Sequence, residues 1–237
     1  YYLSIGARKG DVIAVMLENR PELIASVIGL AKIGVIAALV NTAQVAKVLA
    51  HSINLVKPIA VIVGEECRQA VADIRQELEL AENRLYWFAD QNTRTDTGTA
   101  PEGFQNLAQC IASFPSFNPA TTQSVQGKDG LFYIYTSGTT GLPKAVIFTN
   151  SRWTLAYGTY GHVLGLNQDD AMYCTLPLYH ATGIVVCWCG VIAGSATFAI
   201  RRKYSTSCFW QDVHKFNASA IGYVGELCRY LMDAPAS

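Results

Sequence analysis

The sequence has no excess of charge of either sign. Its 18 basic and 18 acidic residues balance to a formal charge of +0 over 237 residues, and only 15% of all residues are charged. Binding to nucleic acid depends chiefly on Lys and Arg side chains that neutralise phosphates. The composition therefore gives no electrostatic reason to expect a nucleic-acid partner, and none is predicted.

The cysteines lack the spacings of zinc sites and of disulfide frameworks. No C-x-x-C pair occurs, and the total of seven is odd. Cys187 and Cys189 lie two positions apart on a predicted helix, where their side chains would point to nearly opposite sides. No second pair completes four ligands, so we expect both to be small buried hydrophobic residues. This usage fits a reduced, cytoplasmic chain, with membrane attachment of the complete protein left open.

No hydrophobic run is long enough for a membrane span. The stretch 24–40 is apolar apart from Ser26 and Lys32, but it is shorter than the ~20 residues that a bilayer helix needs. The cost of Lys32 would roughly cancel the gain from the aliphatic residues. A buried helix that leads into a buried strand, with Gly34 as the break, explains the run better.

The first half of the chain alternates between strand and helix patterns. Short aliphatic runs are followed by stretches with helical spacing, and this alternation recurs four times. Such a pattern predicts an α/β fold in which parallel sheets are covered by helices. The predicted strands span 12–17, 35–40, 59–63 and 85–88, and the predicted helices span 21–33, 43–55 and 66–80.

The remaining elements divide into an excursion, a hairpin and a second α/β unit. Polar residues dominate 90–129, which we interpret as a surface excursion with a helix at 104–113. A break in composition at 165–170 predicts a first lobe of 1–165 and the beginning of a second lobe at 166–237. Strands are predicted at 131–136, 145–149, 171–176, 196–200 and 220–223, and helices after Asn150 and at 181–192, 207–216 and 226–232.

One loop contains the residue types that bind a polyphosphate. The stretch Tyr135–Lys144 reads Y-T-S-G-T-T-G-L-P-K and follows a strand-like run. Its glycines would let backbone N–H groups approach phosphate oxygens, its hydroxyls would donate further hydrogen bonds, and Lys144 would supply a positive charge. The loop is neither a Walker A sequence nor a G-x-G-x-x-G motif, and Tyr135 excludes a nucleophile elbow. A Ser/Thr/Gly-rich turn without a ligand is the alternative.

Three further stretches contain residues that could take part in ligand binding or catalysis. The segment Pro177–His180 ends a predicted strand, where open α/β sheets place ligands, although a histidine bound by the backbone is the simpler interpretation. Gly222 and Gly225 bracket a strand end and permit close backbone approach, or they merely shape the turn. The basic run Arg201–Lys203 could meet phosphate, but a solvated loop is the commoner case.

The stretch Tyr135–Lys144, called the phosphate-loop stretch or phosphate loop from here on, resembles the phosphate-binding loop of the acyl-adenylate-forming (AMP-binding) enzymes. The stretch Gly225–Leu231, together with Arg202–Ser205 and Phe209–Trp210, resembles the branch that contains fatty acid transport proteins and very-long-chain acyl-CoA synthetases. The resemblance covers most of the chain from Asp11 onward. It implies the large N-terminal domain of such an enzyme, in two lobes of which the second is incomplete, without the small C-terminal domain.

The resemblance implies an activity and a set of site residues. Enzymes of this branch join a long or very long chain fatty acid to ATP, release pyrophosphate, and pass the acyl group from the adenylate to CoA. ATP and Mg²⁺ would then be required, with CoA as co-substrate. Carried over by position, the implied ATP ligands are Thr136, Ser137, Gly138, Thr139, Thr140, Gly141 and Lys144. Thr136 would also contact Mg²⁺, His180 would position the acyl carboxylate, and the acyl site would include Tyr179, His180, Gly222 and Gly225.

Several family segments have no match in this chain, and two other functions stay open. We find no Tyr-Gly-x-Thr-Glu segment, no ribose-binding Asp and no lysine of the C-terminal domain, so the sequence is interpreted as a fragment that is inactive alone. One alternative is a module that takes up and traps fatty acid at a membrane. The other is an adenylating enzyme that passes its acyl group to an acceptor other than CoA.

Overall fold

The structure is a computed structural model that describes residues 1–90, 98–137 and 141–233. The chain forms two compact units, Tyr1–Asn150 and Ser151–Ser237. This division falls one helix earlier than the predicted lobe boundary at 165/166. The reason is packing within the second unit, where Leu164 fills the space in front of Gly190 and Trp153 contacts Trp188, with ring centroids 4.7 Å apart. Whether these units are domains of the complete protein stays a prediction.

The first unit contains a mostly parallel sheet, as the alternating pattern predicted. In the described residues its seven strands lie in the order β5-β4-β3-β1-β2-β6-β7, and only the β6–β7 pair is antiparallel. The strands are β1 Val12–Met16, β2 Ile36–Leu39, β3 Ala60–Gly64, β4 Leu85–Phe88, β5 Gln105–Asn106, β6 Gly130–Thr136 and β7 Lys144–Thr149. The helices are α1 Pro21–Ala31, α2 Ala46–Leu55, α3 Arg68–Asp73, α4 Leu107–Ile111 and α5 Asn150–Leu164, the last of which continues into the second unit.

The central strands of this sheet are buried on both faces. Every residue of β1, β2 and β3 is buried, which is the reason that these strands read as continuous aliphatic runs and not as alternating ones. Helices α2 and α3 pack their apolar residues on one face, where Leu49, Ile53 and Val71 are fully buried. For residues 24–40 the buried strand after Gly34 is confirmed, but the predicted buried helix is wrong, because α1 buries only Leu23, Val27 and Leu30 and leaves Ile28 40% exposed. No helix in the described residues is long and apolar enough to cross a bilayer.

The second unit contains a smaller parallel sheet. Its three described strands lie in the order β10-β8-β9, with β8 in the centre and fully buried. They are β8 Ala171–Cys174, β9 Thr197–Ile200 and β10 Ala220–Gly222, and the helices are α6 Trp188–Gly194, α7 Thr206–Lys215 and α8 Gly225–Met232. The core of this unit includes Tyr173, Cys187 and Phe209. Cys187 and Cys189 are both buried, as expected, and all seven cysteines are free thiols.

Three predicted helices differ from the structure. The predicted helix at 66–80 is divided into a 3-10 turn at Glu65–Cys67, α3, and a 3-10 turn at Arg75–Glu77. The side chain of Asn54 binds the Glu77 carbonyl at 2.8 Å and the Glu79 N–H at 3.0 Å, and these hydrogen bonds replace those of a continuing helix.

The other two differences also have local causes. At 104–113, β5 comes first, and α4 begins only where the Asn106 side chain accepts a hydrogen bond from the Gln109 N–H at 3.2 Å. At 181–192, the six residues after Ala181 form a π-helical turn, Thr182–Cys187, before α6. This wide turn packs closely on the preceding segment, because a Cβ placed on Gly183 would lie 2.6 Å from the Pro177 carbonyl oxygen.

Candidate functional site

The phosphate-loop stretch connects the two antiparallel strands at the edge of the large sheet. Thr136 ends β6 and Lys144 begins β7, and the two residues are paired directly across the ladder. The two ends of the loop are therefore held at the distance of one antiparallel residue pair. Gly138, Thr139 and Thr140, which the sequence predicts as ATP ligands, lie outside the described residues, and their role stays a prediction.

The described part of the loop presents donors to solvent. Thr136, Ser137 and Lys144 are exposed, and within the described residues the Lys144 ammonium has neither an ion pair nor a hydrogen bond. Gly141 has a φ of 86°, in the left-handed region that favours glycine. Exposed hydroxyls, one unpaired ammonium and a left-handed turn form a donor set that matches the oxygens of a polyphosphate.

The side of the loop that faces the protein is fixed by α2. The hydroxyl of Tyr135, which is buried, donates a hydrogen bond of 2.7 Å to the Ser52 carbonyl. Burial raises the pKa of this hydroxyl, with a further contribution from Tyr133, so it stays a donor at neutral pH. His51 lies 3.2 Å from the Pro143 carbonyl oxygen through its Nε2 atom. No local pattern around His51 indicates a role for it, because its partner is 92 positions away along the chain.

The second predicted site segment, Pro177–His180, follows β8 in the second unit. It forms a tight turn, in which the His180 N–H donates to the Pro177 carbonyl at 3.1 Å. One α-type hydrogen bond follows, from the Ile184 N–H to the His180 carbonyl at 3.1 Å. The rings of Tyr179 and His180 are neighbours, with centroids 4.6 Å apart. The segment therefore lies at the carboxyl end of a buried parallel strand, which is where open α/β sheets bind ligands.

The environment of His180 favours the neutral ring. Its imidazole reaches solvent, but the surrounding protein removes part of its hydration, and this lowers the pKa of the ring. The ring is thus uncharged at neutral pH and gains a proton only as the pH falls below its usual value near 6.5. A neutral imidazole can donate one hydrogen bond and accept another, so it can orient a carboxylate without forming a permanent ion pair.

The two predicted acyl-site glycines have different surroundings. Gly222 is buried at the end of β10, and a Cβ there would lie 2.6 Å from Cys187 Sγ and 3.6 Å from Cys174 Sγ. Glycine is favoured at this position because the Cys187 thiol occupies the space that a Cβ would need. Gly225 is exposed at the start of α8, and no described atom lies within 4 Å of a Cβ built on it. Their contribution to an acyl site stays a prediction.

The basic run Arg201–Lys203 takes part in a network within the second unit. The Arg201 guanidinium pairs with Asp212, and the same carboxylate accepts a hydrogen bond of 2.7 Å from the Tyr173 hydroxyl. Partial burial opposes the charge of Asp212, but these hydrogen bonds and the Arg201 charge outweigh it and lower the pKa of the carboxyl group. Arg201 therefore supports the fold of this unit by connecting β9 to α7.

A buried ion-pair network occupies the carboxyl edge of the large sheet. Arg20 follows β1 with only 4% of its side chain exposed, and its guanidinium binds Glu22 at 2.9 Å, Glu66 at 3.3 Å and the Ala89 carbonyl at 2.7 Å. Burial disfavours its charge, but Glu22, Glu66 and Asp90 outweigh this effect and raise the pKa of the guanidinium. The charged residues that directly follow β1 in the sequence are the local signal for this network.

No described group of three or more His, Cys, Asp or Glu side chains could hold a metal ion. In the prediction from the sequence, a Mg²⁺ ion at the phosphate loop would be held mainly by phosphate oxygens and water, with the Thr136 hydroxyl as a protein ligand. This is the manner in which Mg²⁺ commonly binds beside nucleotides, because it keeps several waters and takes few protein ligands. The exposed Thr136 hydroxyl fits that arrangement.

Comparison with known proteins identifies a family over nearly the whole chain. The family described as AMP-binding enzyme matches residues 2–237. A medium/long-chain-fatty-acid–CoA ligase of Mycobacterium tuberculosis, FadD6, is 38% identical over 98% of this chain and 36% of its own length. Long-chain fatty acid transport protein 1 of Rattus norvegicus is 37% identical over 99% of this chain and 35% of its own length. The chain thus spans about a third of the curated relatives that it matches.

Solved structures share the fold at lower sequence identity. The N-terminal domain of FACL13 from Mycobacterium tuberculosis superposes with a TM-score of 0.81 at 21% identity, over 99% of this chain and 55% of that domain. The anthranilate CoA ligase AuaEII, crystallised with anthranoyl-AMP, superposes with a TM-score of 0.82 at 20% identity, over 93% of this chain and 41% of that protein. These matches confirm the predicted fold, that of the N-terminal part of an adenylate-forming enzyme.

Proposed function

Because the chain belongs to the AMP-binding enzyme family, we propose that it is part of a longer enzyme that activates a fatty acid with ATP. The enzyme forms an acyl-adenylate, releases pyrophosphate, and transfers the acyl group to CoA. The single observation that carries this proposal is Lys144 at the end of the phosphate-loop stretch, which is exposed and has no ion pair or hydrogen bond within the described residues. Fatty acid is the preferred substrate class because the relatives are named as fatty-acid ligases and transport proteins.

The residues of the loop have the role of binding and orienting the phosphates of ATP. Lys144 supplies a positive charge, Thr136 and Ser137 supply hydroxyl donors, and Gly141 permits the turn. Gly138, Thr139 and Thr140 are proposed to add backbone and hydroxyl donors. Adenylation requires in-line attack of a carboxylate on the α-phosphate, and the protein contributes mainly by positioning and charge stabilisation. A Mg²⁺ ion would neutralise phosphate charge in this step.

The segment in the second unit is proposed to orient the acid. The neutral His180 ring can donate one hydrogen bond to a carboxylate oxygen, and the Tyr179 ring beside it can exclude water from that bond. Gly222 and Gly225 are proposed to border the acyl chain. Peripheral association of the complete protein with a membrane would fit a substrate that partitions into lipid.

We expect His180→Ala to raise the KM for fatty acid about tenfold, the effect of one hydrogen bond to a charged group. The KM for ATP should stay within about twofold of the wild type. His162→Ala, which removes an exposed histidine from α5, is the matched control. Initial rates of acyl-CoA formation by the complete protein give both constants. An unchanged dependence on fatty acid would remove His180 from the acyl site.

Formation of acyl-CoA by the complete protein tests the proposed function. The reaction should need fatty acid, ATP, Mg²⁺ and CoA together, and acids of several chain lengths would rank the substrates. The names of the transport-protein relatives favour a second candidate, a module that binds and traps fatty acid. That module would bind fatty acid without forming acyl-AMP. Formation of acyl-AMP without acyl-CoA would instead indicate an acceptor other than CoA.

A further inference from the structure

Two consecutive residues of α2 bind the two stems of the phosphate loop. The Ser52 carbonyl accepts a hydrogen bond of 2.7 Å from the hydroxyl of Tyr135, in the stem that enters the loop. The His51 Nε2 atom lies 3.2 Å from the carbonyl oxygen of Pro143, in the stem that leaves it. A carbonyl oxygen can only accept, so Nε2 must carry the hydrogen and donate it.

These contacts lie directly before the two residues at the ends of the loop. Tyr135 precedes Thr136 and Pro143 precedes Lys144, and Thr136 is paired with Lys144 across the ladder. The Pro143 carbonyl and the Lys144 N–H belong to the same planar peptide unit. A hydrogen bond to that carbonyl therefore restricts the orientation of this peptide unit, and with it the direction in which the Lys144 side chain leaves the backbone.

The two stems differ in how strongly the rest of the unit holds them. Tyr135 is 6% exposed and belongs to the hydrophobic core, so packing fixes the first stem even apart from its hydrogen bond. In the second stem Leu142 and Lys144 are exposed. A cavity of about 560 Å³, lined by His51, Lys57, Tyr133 and Pro143 among others, separates this stem from the end of α2. Within the described residues, the hydrogen bond from His51 is therefore the side-chain contact that holds the second stem, in addition to the ladder pairing of Lys144 with Thr136.

We infer that His51 is a positioning residue that orients Lys144 toward the phosphates of ATP through the Pro143 carbonyl. It acts through the peptide bond before Lys144, and contact with substrate is not required of it. This inference rests on the proposed function, since it assigns His51 to the same phosphate site. Loss of the hydrogen bond should leave Lys144 paired in the ladder, but its side chain should take a wider range of orientations.

Two substitutions at His51 separate the hydrogen bond from packing. His51→Leu removes the donor, and His51→Gln keeps an N–H donor on a side chain of similar reach. In the complete protein, we expect His51→Leu to raise the KM for ATP about threefold to tenfold, the factor that corresponds to one hydrogen bond. The KM for fatty acid should not change, and His51→Gln should return the KM for ATP to within about twofold of the wild type. His214→Leu, at an exposed histidine of α7, is the control.

A second readout does not depend on activity. Amide hydrogen exchange in peptides that cover 141–149 should be faster in His51→Leu than in the wild type and in His51→Gln, because the second stem opens more often. Faster exchange together with a selective rise in the KM for ATP supports the inference. Equal rises for ATP and fatty acid, an unchanged KM for ATP, or a glutamine variant that behaves like the leucine variant would overturn it.

Failure of the proposed function gives a different result. If the wild-type protein does not use ATP, or if loss of Lys144 does not affect ATP use in an active protein, then the phosphate site itself is wrong and the role of His51 in it is overturned too. If Lys144 is required for ATP use but His51→Leu has a normal KM for ATP, only the role of His51 is overturned.

Discussion

Replacing Lys144 by alanine is expected to lower kcat/KM for ATP by about 100-fold or more, the usual cost of removing a group that stabilises charge in a transition state. Lys144 is exposed, and its ammonium has no partner among the described residues, so its charge is available for phosphate. Its removal breaks no ion pair in that part of the structure, and the fold should therefore be retained. Binding of fatty acid should be nearly unchanged, since the charge meets phosphate and not the acyl chain.

The controls for Lys144 address charge and folding. Lys47→Ala removes an exposed lysine from α2 in the same unit, and it should leave both substrates unaffected. Lys144→Arg keeps the charge but changes its geometry, so we expect an intermediate loss. Initial rates at varied ATP give kcat/KM for ATP, and equilibrium binding of fatty acid checks the fold and the acyl site separately. Loss of fatty acid binding in Lys144→Ala would indicate general misfolding and would contradict the assignment.

Replacing Arg20 by methionine is expected to destabilise the first unit by about 3 to 5 kcal/mol, because breaking one side of a buried ion pair leaves an uncompensated charge. The Arg20 side chain is 4% exposed and that of Glu66 is 10% exposed. Through Glu66 and the Ala89 carbonyl, Arg20 connects the chain segments that follow β1, β3 and β4. Methionine fills similar volume but binds neither of these groups.

Urea denaturation of the complete protein and its variants measures this effect, with the first unfolding transition as the readout. The matched control is Arg68→Met, which removes an arginine paired with Glu65 where both side chains are about one-third exposed. That exposed pair should contribute at most about 1 kcal/mol. Adding Glu66→Gln to Arg20→Met should recover part of the stability, because it removes a buried charge left without its partner. Equal effects of the two arginine substitutions would contradict the network.

The strands of the fold other than β5 were predictable from the sequence because their signals are local. Strands β1 to β3 read as uninterrupted aliphatic runs, and the structure buries each of their residues. Helix boundaries were less predictable because distant residues decide them. The helix predicted to reach residue 80 does not continue past Glu77, where hydrogen bonds from Asn54, a residue of the preceding helix, bind the backbone of Glu77 and Glu79, and no periodicity near residue 77 reveals that contact.

The candidate site was predictable only in part, for the same reason. The composition of the phosphate loop identified Lys144 and Thr136, which the structure places opposite each other. The contact of His51 with Pro143 joins residues 92 positions apart, so a lone histidine on a helix gave no sign of it. At Gly222 the sequence did predict a close approach, and the structure has one, but the neighbours are the thiols of Cys174 and Cys187.

The most direct test is fatty-acid-dependent exchange of pyrophosphate into ATP by the complete protein that contains this chain. Exchange reports formation of the acyl-adenylate alone, so it does not depend on the identity of the later acceptor. We predict exchange that requires both fatty acid and Mg²⁺ and that is lost in Lys144→Ala. A folded protein that binds ATP and fatty acid but shows no exchange would contradict adenylation and would favour the module that binds and traps fatty acid.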